Sequence, residues 1–241
     1  AVGTHALLQE SVSFSRLGLV ITDEQHRFGV SQRMALTQKA RYPHVLVMSA
    51  TPIPRTLAFI IYGDLDLSIL DEMPKGRRPV KTYLIDPPKR ERAYGFIRKH
   101  LDAGEQAYIV CPLVEQGENS PEGLESAVEE AEHLAQKAFS GYAVGMLHGR
   151  MKAAEKEQIM ADFQSGKLQL LVSTTVIEVG VDVPNATVML IQNAERFGLS
   201  QLHQLRGRVG RGAAESFCIL VSTQTDSPRL RAICKTNDGF Q

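Results

Sequence analysis

The segment Leu17-Gly18-Leu19-Val20-Ile21-Thr22-Asp23-Glu24-Gln25-His26 joins an apolar run to a polar run. The apolar run, Leu17–Thr22, has the composition of a buried parallel strand. Asp23 and Glu24 follow at the carboxyl end of that strand, where doubly wound sheets place their ligand sites. An acidic pair there suits nucleotide hydrolysis, because one carboxylate can hold Mg²⁺ through water while the other orients or deprotonates the attacking water. Such a pair is also common in solvated loops.

A second apolar run, Val45–Met48, ends in Ser49-Ala50-Thr51-Pro52-Ile53-Pro54. In a parallel sheet its exit is expected near the acidic pair, and small hydroxyl groups there can relay hydrogen bonds between that pair and a second ligand. Pro54 fits the first turn of a helix, where no N–H donor is needed. The segment is therefore compatible with a coupling role and equally with a plain capped helix over Arg55–Tyr62.

Apolar runs alternate with helix-periodic stretches along the chain, and this alternation predicts an α/β fold of parallel sheets flanked by helices. Gly166 is a candidate C′ glycine for one of those helices. The helices are predicted from apolar residues at helical spacing, namely Leu124, Val128, Ala131 and Leu134 in one, and Ile159, Met160 and Phe163 in another. The predicted strands are Leu17–Thr22, Val45–Met48, Ala107–Cys111, Ala143–Leu147, Leu168–Val172, Thr187–Ile191 and Phe217–Val221.

The segment Glu72–Val80 contains two prolines, a glycine and three basic residues without periodicity, so it is predicted to be a linker. The predicted units are residues 1–72 and 81–226, joined by residues 73–80 and followed at 227–241 by the start of a helical region. The first unit is short for a doubly wound domain, and we expect it to lack its opening half. The first residue is Ala1 rather than Met, which also favours a fragment.

Composition narrows the function classes without selecting one. Hydrophobic residues make up 43% of the 241 residues and charged residues 22%, which is typical of a globular α/β protein. No apolar run approaches the roughly 18 to 20 residues that span a bilayer, so a cytoplasmic protein with no membrane partner is expected. The net charge is +0 and neither supports nor excludes nucleic acid. Cys111 and Cys218 lie in apolar runs and are expected to be buried structural thiols.

Four segments, in this order along the chain, resemble the motifs of superfamily 2 helicases. Asp23-Glu24-Gln25-His26 is similar to motif II, the Walker B box, and Ser49-Ala50-Thr51 to motif III. The run Ser173–Asp182 (STTVIEVGVD) resembles motif V, and the run Gln204–Arg211 (QLRGRVGR) resembles motif VI. Four matches in the family's order leave little room for coincidence.

Extended beyond the motifs, these segments are similar in sequence to those of the RecG branch-migration helicases, and the similarity covers nearly the whole chain. The segments that carry this resemblance are Asp23–Gly29 (DEQHRFG), Ser49–Thr56 (SATPIPRT) and Val176–Gly212. Transcription-repair coupling translocases share much of it. Tyr62–Asp66 (YGDLD) and Lys75–Pro79 (KGRRP) are closer to RecG, which is therefore favoured.

The resemblance implies two RecA-like lobes with ATP between them, of which residues 1–72 are the carboxyl-terminal part of the first, truncated lobe and residues 81–226 are the second. Asp23 (through Mg²⁺), Glu24, Arg208 and Arg211 would be catalytic, with Arg208 the first candidate for the arginine finger. A helix from Ser200 is expected to present Gln204, Arg208 and Arg211 on one face and to bury Leu202, Leu205 and Val209. Gly207 and Gly210 weaken that helix by roughly 1 kcal/mol each relative to alanine, so a loop is the alternative for Arg211. The remaining implied nucleotide contacts are Gln204, Gly180, Asp182 and His26, and the implied coupling residues are Ser49, Ala50 and Thr51. By resemblance, Asp182 would touch either the sugar of the nucleotide or the arginines, whereas without the resemblance it would begin the turn before Pro184.

Nucleic-acid contacts of such motors go to the sugar-phosphate backbone, because a motor must step along any sequence. By resemblance, three short segments would make these contacts through hydroxyls, glycine amides and one arginine. Without the resemblance, each segment is an ordinary cap or turn. The residues are Gly3, Thr4 and His5, then His148, Gly149 and Arg150, and finally Thr174 and Thr175.

The chain departs from the family in one respect, because it contains no Gly-x-x-x-x-Gly-Lys-Ser/Thr loop to cradle the phosphates of ATP. The expected function is the motor portion of an ATP-dependent, monomeric, bacterial DNA helicase that remodels branched or duplex DNA, and the isolated chain is expected to be inactive. The alternatives are a transcription-repair coupling translocase, a non-catalytic nucleic-acid-binding module with a helicase fold, and a remodelling ATPase that needs no nucleic acid.

Overall fold

Two groups of parallel strands organise the part of the chain that the computed structural model describes, which is residues 1–23, 39–49, 66–70, 78–112, 129, 132–134, 136–174 and 182–236. The groups belong to two units, Ala1–Leu67 and Ser68–Gln241. Most of the predicted linker, 73–80, lies outside the described residues, so the domain limits drawn from the sequence stay a prediction.

The first unit contains a parallel pair of strands, β1 (Leu19–Thr22) and β2 (His44–Val47). The pairing continues beyond β2, since the Met48 amide donates to the Thr22 carbonyl at 2.8 Å. Asp23 and Ser49 therefore follow neighbouring strand ends, and the predicted adjacency of the two exits is confirmed. The predicted bounds were wrong by one or two residues, because β1 begins after Gly18 rather than at Leu17 and β2 ends at Val47 rather than at Met48.

The second unit is built on six parallel strands in the spatial order β3-β8-β7-β4-β6-β5. The central strands β4, β6 and β7 are buried throughout, as continuous apolar runs in a parallel sheet should be. The strands are β3 (Lys81–Ile85), β4 (Gln106–Val110), β5 (Val144–Leu147), β6 (Leu170–Ser173), β7 (Ala186–Ile191) and β8 (Phe217–Val221).

Five of these strands were predicted, with bounds that differ by at most two residues, and β8 matches at both ends. The edge strand β3 was not predicted. Its side chains Lys81 and Tyr83 are exposed, so its apolar content is too low to form a buried run. Cys111 and Cys218 are buried free thiols, as expected. Burial raises the pKa of the Cys218 thiol to about 12, so the thiol stays protonated at neutral pH.

Helices cover both faces of the six-stranded sheet, and the direction of the chain explains which helix covers which face. The chain runs from β3 outward to β4 and β5 and then returns through β6 and β7 to β8. Right-handed crossovers place outward helices on one face and returning helices on the other. The helices are α1 (Arg90–Asp102), between β3 and β4, α2 (Ala153–Gln164), between β5 and β6, α3 (Leu199–Arg206), between β7 and β8, and α4 (Pro228–Lys235), after β8.

Each face has its own apolar core. Ile97 and Leu101 of α1 pack against Ile109 on one face, together with Phe139. On the other face, α2, α3 and α4 pack against a layer that includes Tyr108 and Met189. The predicted helix ending before Gly166 is confirmed, because α2 ends at Gln164 and Gly166 has the expected positive φ of 80°. Most of the predicted helix around Leu124–Leu134 lies outside the described residues, but 132–134 and 136–138 are helical.

Candidate functional site

Arg208 and Arg211, in the QLRGRVGR segment, lie in a loop after α3 and not on the helix. Helix α3 ends at Arg206, and the chain then continues in tight turns in which the Arg208 amide donates to the Leu205 carbonyl at 3.0 Å. The prediction that Arg208 lies on the helix with Gln204 was therefore wrong, whereas the alternative that Arg211 lies in a loop is confirmed. Gly207 ends the helix and Gly210, with φ of 77°, adopts the left-handed conformation, so a regular helix cannot reach Arg211.

Buried side chains anchor this loop on both sides. Leu202, Leu205 and Val209 are fully buried, so the predicted apolar face of the segment is confirmed. Arg206 is also buried, and its Nη1 donates to the carbonyl oxygens of Ile233 at 2.7 Å and Thr236 at 2.8 Å. Burial lowers the pKa of Arg206. The arginine thus ties the start of the loop to the end of α4 through charge-assisted hydrogen bonds.

Two glycines let the loop approach its neighbours closely. A Cβ atom on Gly210 would lie 2.7 Å from Cγ2 of Val80, and one on Gly212 would lie 2.5 Å from the carbonyl oxygen of Pro184. Val80 precedes β3, while Pro184 lies shortly before β7. The loop is therefore fixed at the amino edge of the sheet.

This packing brings Asp182 next to Arg211. Nη1 of Arg211 lies 3.5 Å from Oδ1 of Asp182, and Nε of Arg211 donates to the Gly207 carbonyl at 3.3 Å. The side chains are 31% and 61% exposed, respectively, so a ligand can reach both. Gln204 is half-buried on α3. The arrangement offers an oriented guanidinium group that suits a phosphate.

Tyr108 belongs to the same neighbourhood, and sequence reasoning did not single it out. Burial raises its pKa to about 12, while the positive charges of Arg208 and Arg211 oppose that rise. Its ring packs on Phe163 with 4.9 Å between centroids. Because its phenol stays neutral, Tyr108 adds no charge beneath the arginines. A tyrosine in an apolar strand gave no signal that would have identified it.

A second group of candidate residues lies at the opposite, carboxyl edge of the sheet. His148 follows β5 and Thr174 follows β6, and the Thr174 amide donates to the Leu147 carbonyl at 3.0 Å. His148 Nδ1 and Thr174 Oγ1 are both buried and have no hydrogen-bond partner among the described residues. Gly149 and Arg150 lie exposed in the turn that follows. Two unpaired polar atoms on neighbouring strand ends indicate a place where a ligand or water completes the bonding.

In the first unit, Asp23 is exposed after β1, and Ser49 follows β2. Thr4 precedes a short 3-10 helix, His5–Leu8, and Gly3 packs closely on Leu7. Several expected site residues lie outside the described part of the chain: Glu24, His26, Ala50, Thr51, Thr175, Gly180 and the side chain of His5. The described residues contain no group of three or more His, Cys, Asp or Glu side chains that could hold a metal ion. No helix among them is long and apolar enough to cross a membrane.

The family described as helicase conserved C-terminal domain matches residues 89–213, which is more than half of the chain and includes both groups of candidate residues in the second unit. The chain belongs to this helicase family. Its second unit, a six-stranded parallel sheet flanked by helices, thereby confirms the predicted RecA-like fold.

Within the helicase family, the chain is similar to proteins called ATP-dependent DNA helicase RecG. It is 54% identical to RecG of Synechocystis, which it matches over 99% of its own length and 29% of the relative's. It is 51% identical to RecG of Bacillus subtilis, over 100% of the chain and 35% of the relative. A solved structure of RecG bound to a three-way DNA junction matches 99% of the chain and 31% of that protein, with a TM-score of 0.78 and 49% identity. The chain thus spans about a third of the relatives' length, and the predicted resemblance to RecG is confirmed.

Proposed function

We propose that this chain is part of the motor of an ATP-dependent DNA helicase that remodels branched DNA. The observation that carries the proposal is an identity of about half to RecG helicases along nearly the whole chain. One such relative has been solved on a three-way DNA junction. We further propose that the protein acts as a monomer in the bacterial cytoplasm.

The loop after α3 is the proposed nucleotide-facing element. Its features fit a triphosphate, because the cationic Arg211 is accessible, already oriented by Asp182 and the Gly207 carbonyl, and next to a second arginine, Arg208. Bound ATP would supply a phosphoryl group for transfer to water. The arginines would hold its charge with planar, bidentate donors, and Asp182 would keep Arg211 in place.

The acidic residues of the first unit are the proposed hydrolytic pair. Asp23, exposed at the end of β1, would bind Mg²⁺ through water, and Glu24 would accept a proton from the attacking water. Ser49, Ala50 and Thr51 would link this pair to the nucleic-acid side, since Ser49 follows the neighbouring strand β2. His26 and Gly180 complete the proposed nucleotide contacts.

The carboxyl edge of the second sheet is the proposed nucleic-acid side. The unpaired Oγ1 of Thr174 and Nδ1 of His148 would bond to the sugar-phosphate backbone, and the exposed Arg150 would pair with a phosphate. Gly3, Thr4, His5, Gly149 and Thr175 would add backbone and hydroxyl contacts. None of these groups reads a base, which suits a motor that steps along any sequence.

A DNA-stimulated ATPase assay on the full-length protein tests the proposed function. We expect branched DNA to stimulate hydrolysis, and we expect Glu24→Gln to abolish turnover while ATP binding persists. Hydrolysis that ignores DNA would favour the nucleic-acid-independent ATPase. DNA binding without any hydrolysis would favour a non-catalytic module, and stimulation only together with RNA polymerase would favour the transcription-repair translocase.

A further inference from the structure

A cationic cavity lies between α1 and the helical residues 132–134 and 136–138, among the residues that the structure describes. Its volume is about 410 Å³, within the range of sites for small molecules. Helix α1 lines it with Arg90, Glu91 and Arg98 beside the buried Tyr94. The helical residues 132–134 and 136–138 line it with Leu134 and Lys137. Tyr94 and Leu134 belong to the core on the α1 face of the sheet, whereas Val209, in the loop of Arg208 and Arg211, packs on the opposite face.

Arg90 gives the first indication that this cavity binds an anion. Its Nε is buried and has no hydrogen-bond partner in the described part of the chain. A buried guanidinium donor without a partner is costly, because it has lost water and gained nothing in return. Arg90 also lines the cavity and is only half-buried as a residue, so an anion there would lie beside its guanidinium charge.

Arg98 gives the second indication, because it is already fixed in place. Its Nη1 donates to the Ala138 carbonyl at 2.9 Å, which joins α1 to the other helix across the cavity. The remaining donors of a guanidinium group held in this way need little further ordering to bind a ligand. Lys137 adds a flexible ammonium group from the opposite wall.

The charges of the lining residues indicate what kind of anion fits. Arg90, Arg98 and Lys137 carry three positive charges and Glu91 one negative charge, which leaves an excess of two positive charges when the lining His133 is counted as neutral. A phosphate monoester carries nearly two negative charges at neutral pH, because its second pKa is about 6. A single carboxylate would balance only half of that excess, and the cavity is larger than a phosphate group alone needs.

From the unpaired guanidinium, the fixed arginine and this charge balance, we propose that the cavity is a binding site for a phosphate monoester. The ester can be a small molecule or the 5′-phosphorylated end of a DNA strand, which presents the same dianionic group. The site goes beyond the proposed motor function, since it shares no residue with the nucleotide-facing loop or with the carboxyl edge of the sheet.

Titration of the 241-residue chain with inorganic phosphate, in chloride buffer without nucleotide, tests the site by calorimetry or NMR. We expect saturable binding that Arg90→Gln and Lys137→Gln each weaken by at least about tenfold, as for the loss of one charge-assisted bond. Lys137 is exposed, so its variant should fold even if Arg90→Gln does not. Arg92→Gln is the matched control, because Arg92 is exposed on the same helix and does not line the cavity. It should leave the affinity within about twofold of wild type.

Three results would overturn the proposal: no saturable binding, equal losses in Arg90→Gln and Arg92→Gln, or loss in Arg211→Gln without loss in the two cavity variants. The last result would assign the phosphate to the loop after α3. Competition by a short DNA strand then identifies the source of the ester. Displacement of phosphate by a 5′-phosphorylated strand, but not by a strand of the same sequence with a 5′-hydroxyl group, would support a DNA strand end as the ligand. Binding that depends on Arg90 and resists both strands would support a small phosphate ester.

Discussion

Arg208 and Arg211 are three residues apart in sequence, but the chain constrains them differently. Arg211 is held through its side chain by Asp182 and by the Gly207 carbonyl. Arg208 lies in a turn that is fixed through its backbone amide and through the neighbouring buried Val209. A charge that acts on a transition state must be placed before the reaction begins, and this packing places both side chains on one short loop.

We expect Arg208→Lys, in the full-length protein, to reduce hydrolysis strongly while ATP binding and DNA binding persist. An arginine finger contributes on the order of 10³ to 10⁵ in rate, and lysine lacks the planar fork that follows the developing charge. The measurement is DNA-stimulated turnover together with nucleotide affinity. Arg92→Lys is the control, since Arg92 is exposed on α1. Turnover of the Arg208 variant within about threefold of wild type would leave Arg211 as the better candidate.

At the scale of helices and strands, sequence patterns located the apolar strands, including the edge strand β5, and missed the partly polar edge strand β3. β4, β6 and β7 were predicted because each is a continuous apolar run in the centre of a sheet. The edge strand β3 was missed because its partly polar sequence resembles a loop, and α1 was missed as well. In the site, the motif order identified Arg211 and Asp182, but their ion pair depends on the close packing of Gly212 on Pro184. A contact between residues so far apart in sequence leaves no periodic signal, and only the family resemblance offered it, as one of two possible roles of Asp182.

Gly212→Ala should destabilise the protein, because the new Cβ would lie 2.5 Å from a backbone oxygen that cannot move aside cheaply. We expect a loss of about 1 to 3 kcal/mol in the free energy of unfolding, measured by urea denaturation. Gly141→Ala provides the matched control, since nothing lies within 4 Å of the corresponding Cβ. Similar losses in the two variants would mean that the loop is not held by close packing at Gly212.

Arg206→Met should loosen the end of α4. The substitution keeps a long apolar stem but removes the donor to the carbonyl oxygens of Ile233 and Thr236, and we expect a loss of about 2 to 3 kcal/mol in the free energy of unfolding. Amide hydrogen exchange should become faster in α4 before it does in β7. Arg231→Met, which removes an exposed arginine from the same helix, should cost less than about 1 kcal/mol. Unchanged exchange in α4 would contradict the anchoring role of Arg206.

For the molecule as a whole, the proposed hydrolytic chemistry needs a phosphate-binding loop that the 241 residues do not contain. The acidic pair and the arginines are in the sequence, but no phosphate-binding glycine loop with its lysine is. The chain also spans about a third of the RecG relatives it matches. We therefore expect the groups that bind the phosphates of ATP and the arginines that stabilise the charge of the transition state to come from different parts of a longer protein.

The isolated 241-residue chain should accordingly hydrolyse ATP negligibly, with or without DNA. The reason is that the amides and lysine that bind the phosphates are missing, even though Asp23, Glu24 and both arginines are present. Phosphate release measured beside the full-length protein checks this expectation. The Glu24→Gln full-length protein is the background control, and turnover of the fragment near the wild-type rate would refute it.

The separation of the two groups of candidate residues across one sheet has a mechanical meaning. The arginine loop lies at the amino ends of the strands, and His148 and Thr174 lie at the carboxyl ends. A five-residue parallel strand such as β4 measures about 17 Å at roughly 3.3 Å per residue. If a sheet packed on both faces turned as a rigid body of that length, a tilt of about 11° would displace its far end by about 3.3 Å, close to the roughly 3.4 Å between nucleotides along one DNA strand. Under the proposed function, a small rotation at the phosphates would therefore be transmitted as a displacement on the scale of a nucleotide at the DNA-facing edge.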